Sequence, residues 1–429
     1  LKSGIESRLE KTNFGTKVAG KLKNTKNSIK YLLISGQLFE NMGLTYLGPI
    51  DGHNVEQLIR VLEQARKLNH GVIVHVLTKK GKGYEPAELF PTKFHGTEAF
   101  HIESGENKIK KEKATYTDVF GAAMKKIGER NDKVIAITAA MTDGTGLTRF
   151  AKSFPKRFFD VGIAEEHAVT FAAALAVSGL RPVVAVYSSF LQRAFDQALH
   201  DVCMQNLPVV FAVDRAGIVG NDGETHQGIF DLSYLSLIPN LTVMAPKNKW
   251  ELHDMLQYAV CFDGPIAIRF PRGTAFDQLE EKRPPIDHGK GEALYEGGEV
   301  ALLAVGSMVE TALSVRRDLA EQGIACTVIN ARFVKPFDEA LIWKLARDYK
   351  LLVTMEENVE TGGFGQQINA FLQKNHLHIP QEIIALPDQF VEHGDPKQLK
   401  KEFGIDAGAV EARVLMAYRQ LGPAEGSER

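Results

Sequence analysis

The sequence predicts an α/β chain built on mainly parallel sheets, and three observations predict it. First, continuous apolar runs of strand length recur at residues 134–137, 183–186, 209–213 and 266–268, and again at 300–305, 326–331, 351–355 and 383–386. Runs without polar alternation belong to strands buried on both faces, the condition of a parallel sheet covered by helices. Second, stretches of helical length and pattern lie between them, such as 309–319 and 364–372. Third, a charged, proline-bearing stretch at 280–290, with Lys282-Arg283-Pro284-Pro285, reads as a linker between two such units.

The elements follow in order. Residues 1 to about 110 are rich in Lys and hold a short strand at 45–47, a helix at 55–68 and an apolar strand at 72–77, so they read as part of a domain. From 111 to 285 strands and helices alternate in one α/β unit. From 289 to 429 a second α/β unit follows. No low-complexity tract, heptad or short internal repeat interrupts this order.

A chain of 429 residues is long enough for two or three domains, and 44% hydrophobic with 24% charged residues is ordinary for a globular protein with a large core. With 51 basic against 53 acidic side chains, the net charge of -2 supplies no field for nucleic acid or an anionic membrane. Anion binding must then be local. Cys203, Cys261 and Cys326 are far apart, which points to neither a disulfide framework nor a zinc site and fits a reducing, cytoplasmic setting. No apolar run approaches the roughly 18 residues of a membrane span. Leu1-Lys2-Ser3 opens no signal peptide, and the missing initiator Met reads as a chain cut from something longer.

The chemistry gathers where strands give way to helices. Asp160-Val-Gly-Ile-Ala-Glu165-Glu166-His167 follows a short β-prone run and opens a small, apolar helical stretch. A helix dipole favours acids there, yet an unpaired buried carboxylate destabilises a fold and so points to function. Tyr187-Ser-Ser-Phe190-Leu-Gln-Arg193 follows the next strand, and Asp214-Arg215-Ala-Gly217 leads into Gly220-Asn-Asp222-Gly-Glu-Thr-His226-Gln-Gly228. Phe270-Pro-Arg272-Gly closes the series. Singly, these are an ordinary core Phe, a solvated helix Arg and a plain Asn-Asp-Gly turn. Together they are expected at one edge of one sheet, where open parallel sheets bind ligands. Arg215 and Arg272 in a near-neutral chain suit a phosphate held by planar guanidinium forks.

These strings closely resemble the 1-deoxy-D-xylulose-5-phosphate synthase family of transketolase-like thiamin-diphosphate enzymes. The resemblance extends upstream through Gly48-Pro-Ile-Asp-Gly-His53 and Thr78-Lys-Lys-Gly-Lys-Gly-Tyr-Glu-Pro-Ala87. Downstream it runs through Arg332-Phe-Val-Lys-Pro336 and Glu356-Glu-Asn358. It implies a pyrimidine-binding α/β domain at 111–285, a transketolase C-terminal domain at 289–429 and the end of a cofactor-binding domain at 1–110. The implied reaction condenses pyruvate with D-glyceraldehyde 3-phosphate, with loss of carbon dioxide, in a homodimer.

By the same resemblance Glu165 grips the ring nitrogen of the cofactor's aminopyrimidine, Phe190 stacks on that ring and Ile163 helps wedge the cofactor into a bent form. Tyr187, Arg215 and Arg272 clamp the phosphate of the aldehyde, and Arg193 lies near the pyruvate-derived carboxylate. His226 with Asp222 bonds hydroxyl and carbonyl groups and moves protons, and His53 is a further active-site histidine or else a turn residue on the surface. The family's diphosphate and Mg²⁺ site needs Gly-Asp-Gly after a strand and a later Asn; Gly220-Asn-Asp-Gly223 belongs to a different motif, so this sequence assigns no metal ligand. Glu356-Glu-Asn358 with Gly362-Gly-Phe-Gly365 resembles a phosphate-binding glycine loop, but the third unit yields no catalytic candidate. Alternatives are the C-terminal subunit of a split transketolase, a 2-oxoacid dehydrogenase β subunit, or a non-catalytic fragment. The first stretch with its Asp-Gly-His turn weighs against the split subunits.

Overall fold

The structure, a computed structural model of the chain, describes residues 36–97, 99–108, 113–220 and 222–422. It divides into two compact units, Leu1–Lys110 and Lys111–Arg429, and each is described by itself.

In the first unit β1 (Thr45–Asp51) pairs in parallel with β2 (Val72–Leu77) across the helix Val55–Ala65. Asn54 starts that helix, its Oδ1 accepting from Gln57 N at 3.0 Å. The helix stops at Ala65, short of the expected residue 68, and its apolar stripe of Val55, Ile59 and Leu62 is more than half exposed. Gly48 has φ +136, and a Cβ there would stand 2.5 Å from His75 O, so close strand pairing demands glycine.

The second unit holds two sheets. The strands of the first are β3 (Val134–Thr138), β4 (Phe158–Asp160), β5 (Arg181–Tyr187), β6 (Val210–Asp214), β7 (Thr242–Met244) and β8 (Ile266–Arg269). Those of the second are β9 (Glu292–Tyr295), β10 (Val300–Ala304), β11 (Cys326–Asn330), β13 (Leu351–Val359) and β14 (Gln381–Leu386). A short β12 (Phe333–Lys335) lies between β11 and β13 in the chain yet joins the first sheet, whose order is β12-β7-β8-β6-β5-β3-β4. All neighbours in that sheet are parallel except β12 and β7. The second sheet runs β14-β13-β10-β11-β9, with β9 alone antiparallel. The expected buried runs are indeed strands, all interior to their sheets except β14, which forms an edge; β3, β6, β10 and β11 are buried at every residue.

Two features were not expected. β7 is only three residues long, too short for a periodic signal. The Arg332-Phe-Val-Lys-Pro336 motif crosses from the C-terminal domain to an edge of the first sheet, the position where a flanking proline is tolerated.

The crossing is fastened by ions. Lys247, Glu251 and Arg332 are buried, and Glu292 nearly so. Glu251 accepts from Arg332 Nε at 2.8 Å and from Lys247 Nζ at 3.3 Å, while Glu292 accepts from Lys247 Nζ at 2.7 Å and Arg332 Nη2 at 3.1 Å. Asn330 Nδ2 donates to both Glu251 oxygens at 3.0 Å. Two cations face two carboxylates, so the burial is balanced.

The glycine turn after β13 corrects the reading of it as a phosphate loop. Both oxygens of Glu356 are already engaged there, accepting from Phe364 N and Gly365 N at 2.8 Å each. The chain's own carboxylate fills the N-terminus of helix Phe364–Lys374, where an anion would bind.

Glu251→Ala would strand Lys247 and Arg332 in a dry interface and is expected to destabilise the second unit by about 3–5 kcal/mol, read as a lowered denaturation midpoint. An unchanged midpoint would count against the cluster. Burial pushes Glu356 up from 4.5 to about 7, against the pull of its two backbone donors. A raised acid binds its proton more tightly in the folded chain, so this contribution is full below about 4.5 and is lost as pH rises through about 7. Glu356→Gln should remove a total stability change on the order of 3 kcal/mol over that pH window, and an identical pH dependence would refute the assignment.

Candidate active site

The turn from β4 into the helix Glu165–Val177 is set by Asp160. Its Oδ1 accepts from Ala140 N at 2.8 Å and Gly162 N at 3.0 Å, and its Oδ2 from Thr142 Oγ1 at 2.7 Å. Gly162 takes φ +76 at this bend. The helix then buries Ala168, Val169, Ala172, Ala173 and Ala176 in the same core as Val184 and Val186 of β5. Small side chains hold the helix close to the sheet.

The two first-turn acids separate at this point. Glu166 and His167 are exposed, and for Glu166 the helix dipole alone accounts for an acid in the first turn. Glu165 is 1% exposed. Its Oε1 accepts from Arg193 Nη1 at 2.6 Å, whereas its Oε2 is buried with no hydrogen-bond partner. Helix electrostatics does not explain an acceptor left bare, which costs stability by about 1–3 kcal/mol.

From Arg193 the contacts continue across the sheet edge. Its guanidinium lies 5.0 Å from the centre of the Phe190 ring, which stacks at 5.6 Å on Tyr187 and meets His226 edge-on at 5.1 Å. Tyr187 ends β5, and the Arg215 guanidinium sits 3.7 Å above its ring. Burial pushes the Tyr187 phenol up, which keeps it a donor.

Arg215 follows β6 at φ +61 and is tied down on several sides. Asp214 accepts from its backbone N at 2.7 Å and from its Nη1 at 3.0 Å, and that Nη1 also donates to Gly144 O at 2.7 Å. Its Nε is buried without a partner. Burial pushes the Asp214 carboxyl up to about 6 against the opposing pull of Arg215. Gly144 admits no side chain, because a Cβ there would stand 1.8 Å from the Tyr187 hydroxyl. After β8, Arg272 Nη1 donates to Asp222 Oδ2 at 2.5 Å, and both groups lie within electrostatic reach of Tyr187.

The structure therefore brings Glu165, Arg193, Phe190, Tyr187, His226, Arg215, Arg272 and Asp222 to one sheet edge. The four strands that deliver them are not neighbours throughout, since β3 lies between β5 and β4. That intervening strand supplies the Gly144 turn, which sequence reasoning missed along with Asp160 and Asp214. Ile163 is 79% exposed beside the bend. His53 belongs to the first unit, where its Nε2 accepts from Lys79 N at 2.7 Å and Asp51 Oδ1 accepts from its backbone N at 2.9 Å. Among the described residues no group of three or more His, Cys, Asp or Glu side chains is placed to hold a metal ion, and no helix is long and apolar enough to cross a membrane.

Comparison with known proteins gives this arrangement a lineage. Residues 1–78 match the family described as 1-deoxy-D-xylulose-5-phosphate synthase, 112–276 the transketolase pyrimidine binding domain and 289–410 the transketolase C-terminal domain. The chain is 54% identical over 424 residues to the 1-deoxy-D-xylulose-5-phosphate synthase of Lachnoclostridium phytofermentans, covering 98% of this chain and 67% of that protein. It is 52% identical over 423 residues to the one from Natranaerobius thermophilus, with the same coverage of each. The chain thus spans about two thirds of the length of these curated relatives. Among solved structures it is similar to a split-gene transketolase described as an inactive β4 tetramer, with a TM-score of 0.66 and 30% identity over 71% of this chain and 98% of that one. The transketolase of Campylobacter jejuni shares the fold, with a TM-score of 0.61 at 20% identity over 88% of this chain and 68% of that one. On its identity to these relatives, the chain belongs to the 1-deoxy-D-xylulose-5-phosphate synthase family of thiamin-diphosphate-dependent transferases.

Proposed function

We propose that this chain carries the pyrimidine-activating and substrate-holding side of a 1-deoxy-D-xylulose-5-phosphate synthase, which joins pyruvate to D-glyceraldehyde 3-phosphate with loss of carbon dioxide. The observation that carries the reading is the orphaned, buried Oε2 of Glu165. It fits the cofactor: a protonated ring nitrogen would satisfy that oxygen, and the Phe190 ring, which packs against the same Arg193 that binds Glu165, offers a stacking face. Bound thiamin diphosphate supplies the nucleophilic carbon and the electron sink that decarboxylation needs.

The chain's own residues do the rest. Glu165 holds a proton at the ring nitrogen, and its burial strengthens that bond because little water screens it. Arg193 balances its charge from the side and is placed for the carboxylate of pyruvate. Arg215 is held by Asp214 with its Nε unspent, and Arg272 is held by the more exposed Asp222. Together with the Tyr187 hydroxyl they form a phosphate clamp of the planar, charge-assisted kind. His226 and Asp222, on one loop, are assigned to the aldehyde's carbonyl and hydroxyl groups, where an imidazole can pass protons. Ile163 is assigned to the bent cofactor's flank and His53 to the substrate side of the first domain.

The parts 1–110, 111–285 and 289–429 are read as the end of a diphosphate-binding domain, a pyrimidine-binding domain and a C-terminal domain. The Mg²⁺ and diphosphate ligands are assigned outside this chain's residues, and the working form to a cytoplasmic homodimer.

Assayed with the missing N-terminal portion of a relative supplied, the chain should form 1-deoxy-D-xylulose 5-phosphate, whereas absence of product under every complementing condition would count against the reading. In that complemented form Glu165→Gln should lower turnover by about 10²–10⁴-fold at an unchanged melting temperature, and full retention of rate would remove Glu165 from its role. Arg272→Ala should raise KM for the phosphorylated aldehyde roughly tenfold or more and leave that for pyruvate near its starting value. Equal effects on both would argue against the clamp.

A further inference from the structure

The loop that carries Asp222 and His226 is held by the C-terminal domain. Its base is a two-bond bridge, Gly217 N to Gly228 O at 2.6 Å and Gly228 N to Gly217 O at 2.8 Å. Beneath that base lies the side chain of Glu357, on β13, 1% exposed. Its Oε1 accepts from Ile218 N at 2.8 Å, and its Oε2 from Ser307 Oγ at 2.8 Å and Lys400 Nζ at 2.9 Å. Each of its three donors comes from a different part of the second unit. The fit is tight, since Gly217 takes φ +78 and a Cβ there would stand 2.6 Å from Glu357 Oε1.

Three further contacts with the C-terminal domain support the loop and the residue after it: the side-chain bond Gln227 Nε2 to Glu392 O at 3.0 Å, and the backbone bonds Val359 N to Ile229 O at 2.8 Å and Gly394 N to Gly220 O at 3.4 Å. The other side of the base abuts the site, because a Cβ on Gly228 would stand 2.1 Å from Arg215 O. Among these anchors Glu357 alone brings a charge. Burial by itself would raise its pKa, but Lys400, with the Ile218 N–H and the Ser307 hydroxyl, holds it below the ordinary carboxylate value. A carboxylate so satisfied is a rigid support.

We propose that Glu357 is a positioning residue, through which the C-terminal domain holds the base of the Gly217–Gly228 loop and so sets where Asp222 and His226 stand against Arg272 and Phe190. What those two residues do chemically rests on the reading under Proposed function; that Glu357 places them does not.

The test reads the full chain without turnover. In Glu357→Gln, amide hydrogen exchange at Ile218 and Gly228 should quicken at least about tenfold, and the His226 imidazole NMR signal, identified by its loss in His226→Asn, should move or broaden. The amides of helix Glu165–Val177 should keep their protection, which separates a displaced loop from general loosening. Unchanged exchange at Ile218 and Gly228 with an unmoved His226 signal would overturn the proposal, as would an equal loss of protection in both segments. Should Glu357→Gln fail to fold, Lys400→Met keeps the carboxylate but removes its cation. The same local changes in smaller degree support the proposal, and none overturns it. A chain that passes this test yet forms no product leaves the anchor standing and removes only the catalytic reading.

Discussion

The Glu165 carboxylate is shut away from water with one oxygen bonded to Arg193 and the other bonded to nothing. Neighbouring features of the sheet edge hold it there. The Asp160 turn aims the helix that begins at Glu165, and a succession of alanines lets that helix press against β5. The strain of a bare buried acceptor is tolerated because the fold around it is over-determined: β5 and β6 lie at the centre of a seven-stranded sheet, and the helix has no freedom to turn its first residue outward. An acceptor so held has room for one further hydrogen bond.

Charge is handled differently on the two sides of the site. Arg215 is locked by Asp214, Gly144 and the face of Tyr187, so its position is a property of the fold. Arg272 and Asp222 meet at the surface, where the pairing is weak and screened. A rigid cation beside a releasable one suits the clamp proposed for this site, because an anion could enter without rebuilding the core. Behind them the C-terminal domain is more than a neighbour: it lends β12 to the first sheet, closes the Lys247, Glu251, Glu292 and Arg332 cluster, and props the Gly217–Gly228 loop.

How much of this could be read from the amino-acid order follows from how local each feature is. The α/β class was plain because buried parallel strands leave unbroken apolar runs, and Tyr187, Arg215 and Arg272 stood out because each lies at or just after the end of a strand, whereas Asp222 and His226 ride on a longer loop after β6. The residues alone left the Glu165 and Glu166 pair ambiguous; the resemblance singled out Glu165, and in the structure burial separates the two. What escaped notice depends on partners far along the chain. Glu357 meets Ile218 across 139 positions, and Arg332 meets Glu251 across 81. The glycine turn after β13 misled for a related reason, since nothing in its own residues announces that Glu356, a few positions earlier, already occupies it. β12 carries a strand's composition but no mark of which sheet it joins.

The most direct measurement is a crystal structure of the complemented enzyme with thiamin diphosphate bound, read at the Glu165 carboxylate. The account predicts Oε2 within hydrogen-bond distance, about 2.6–3.0 Å, of the aminopyrimidine ring nitrogen, with that ring lying on Phe190. A bound cofactor whose ring nitrogen is served by another group, with Oε2 still bare or turned to water, would contradict it.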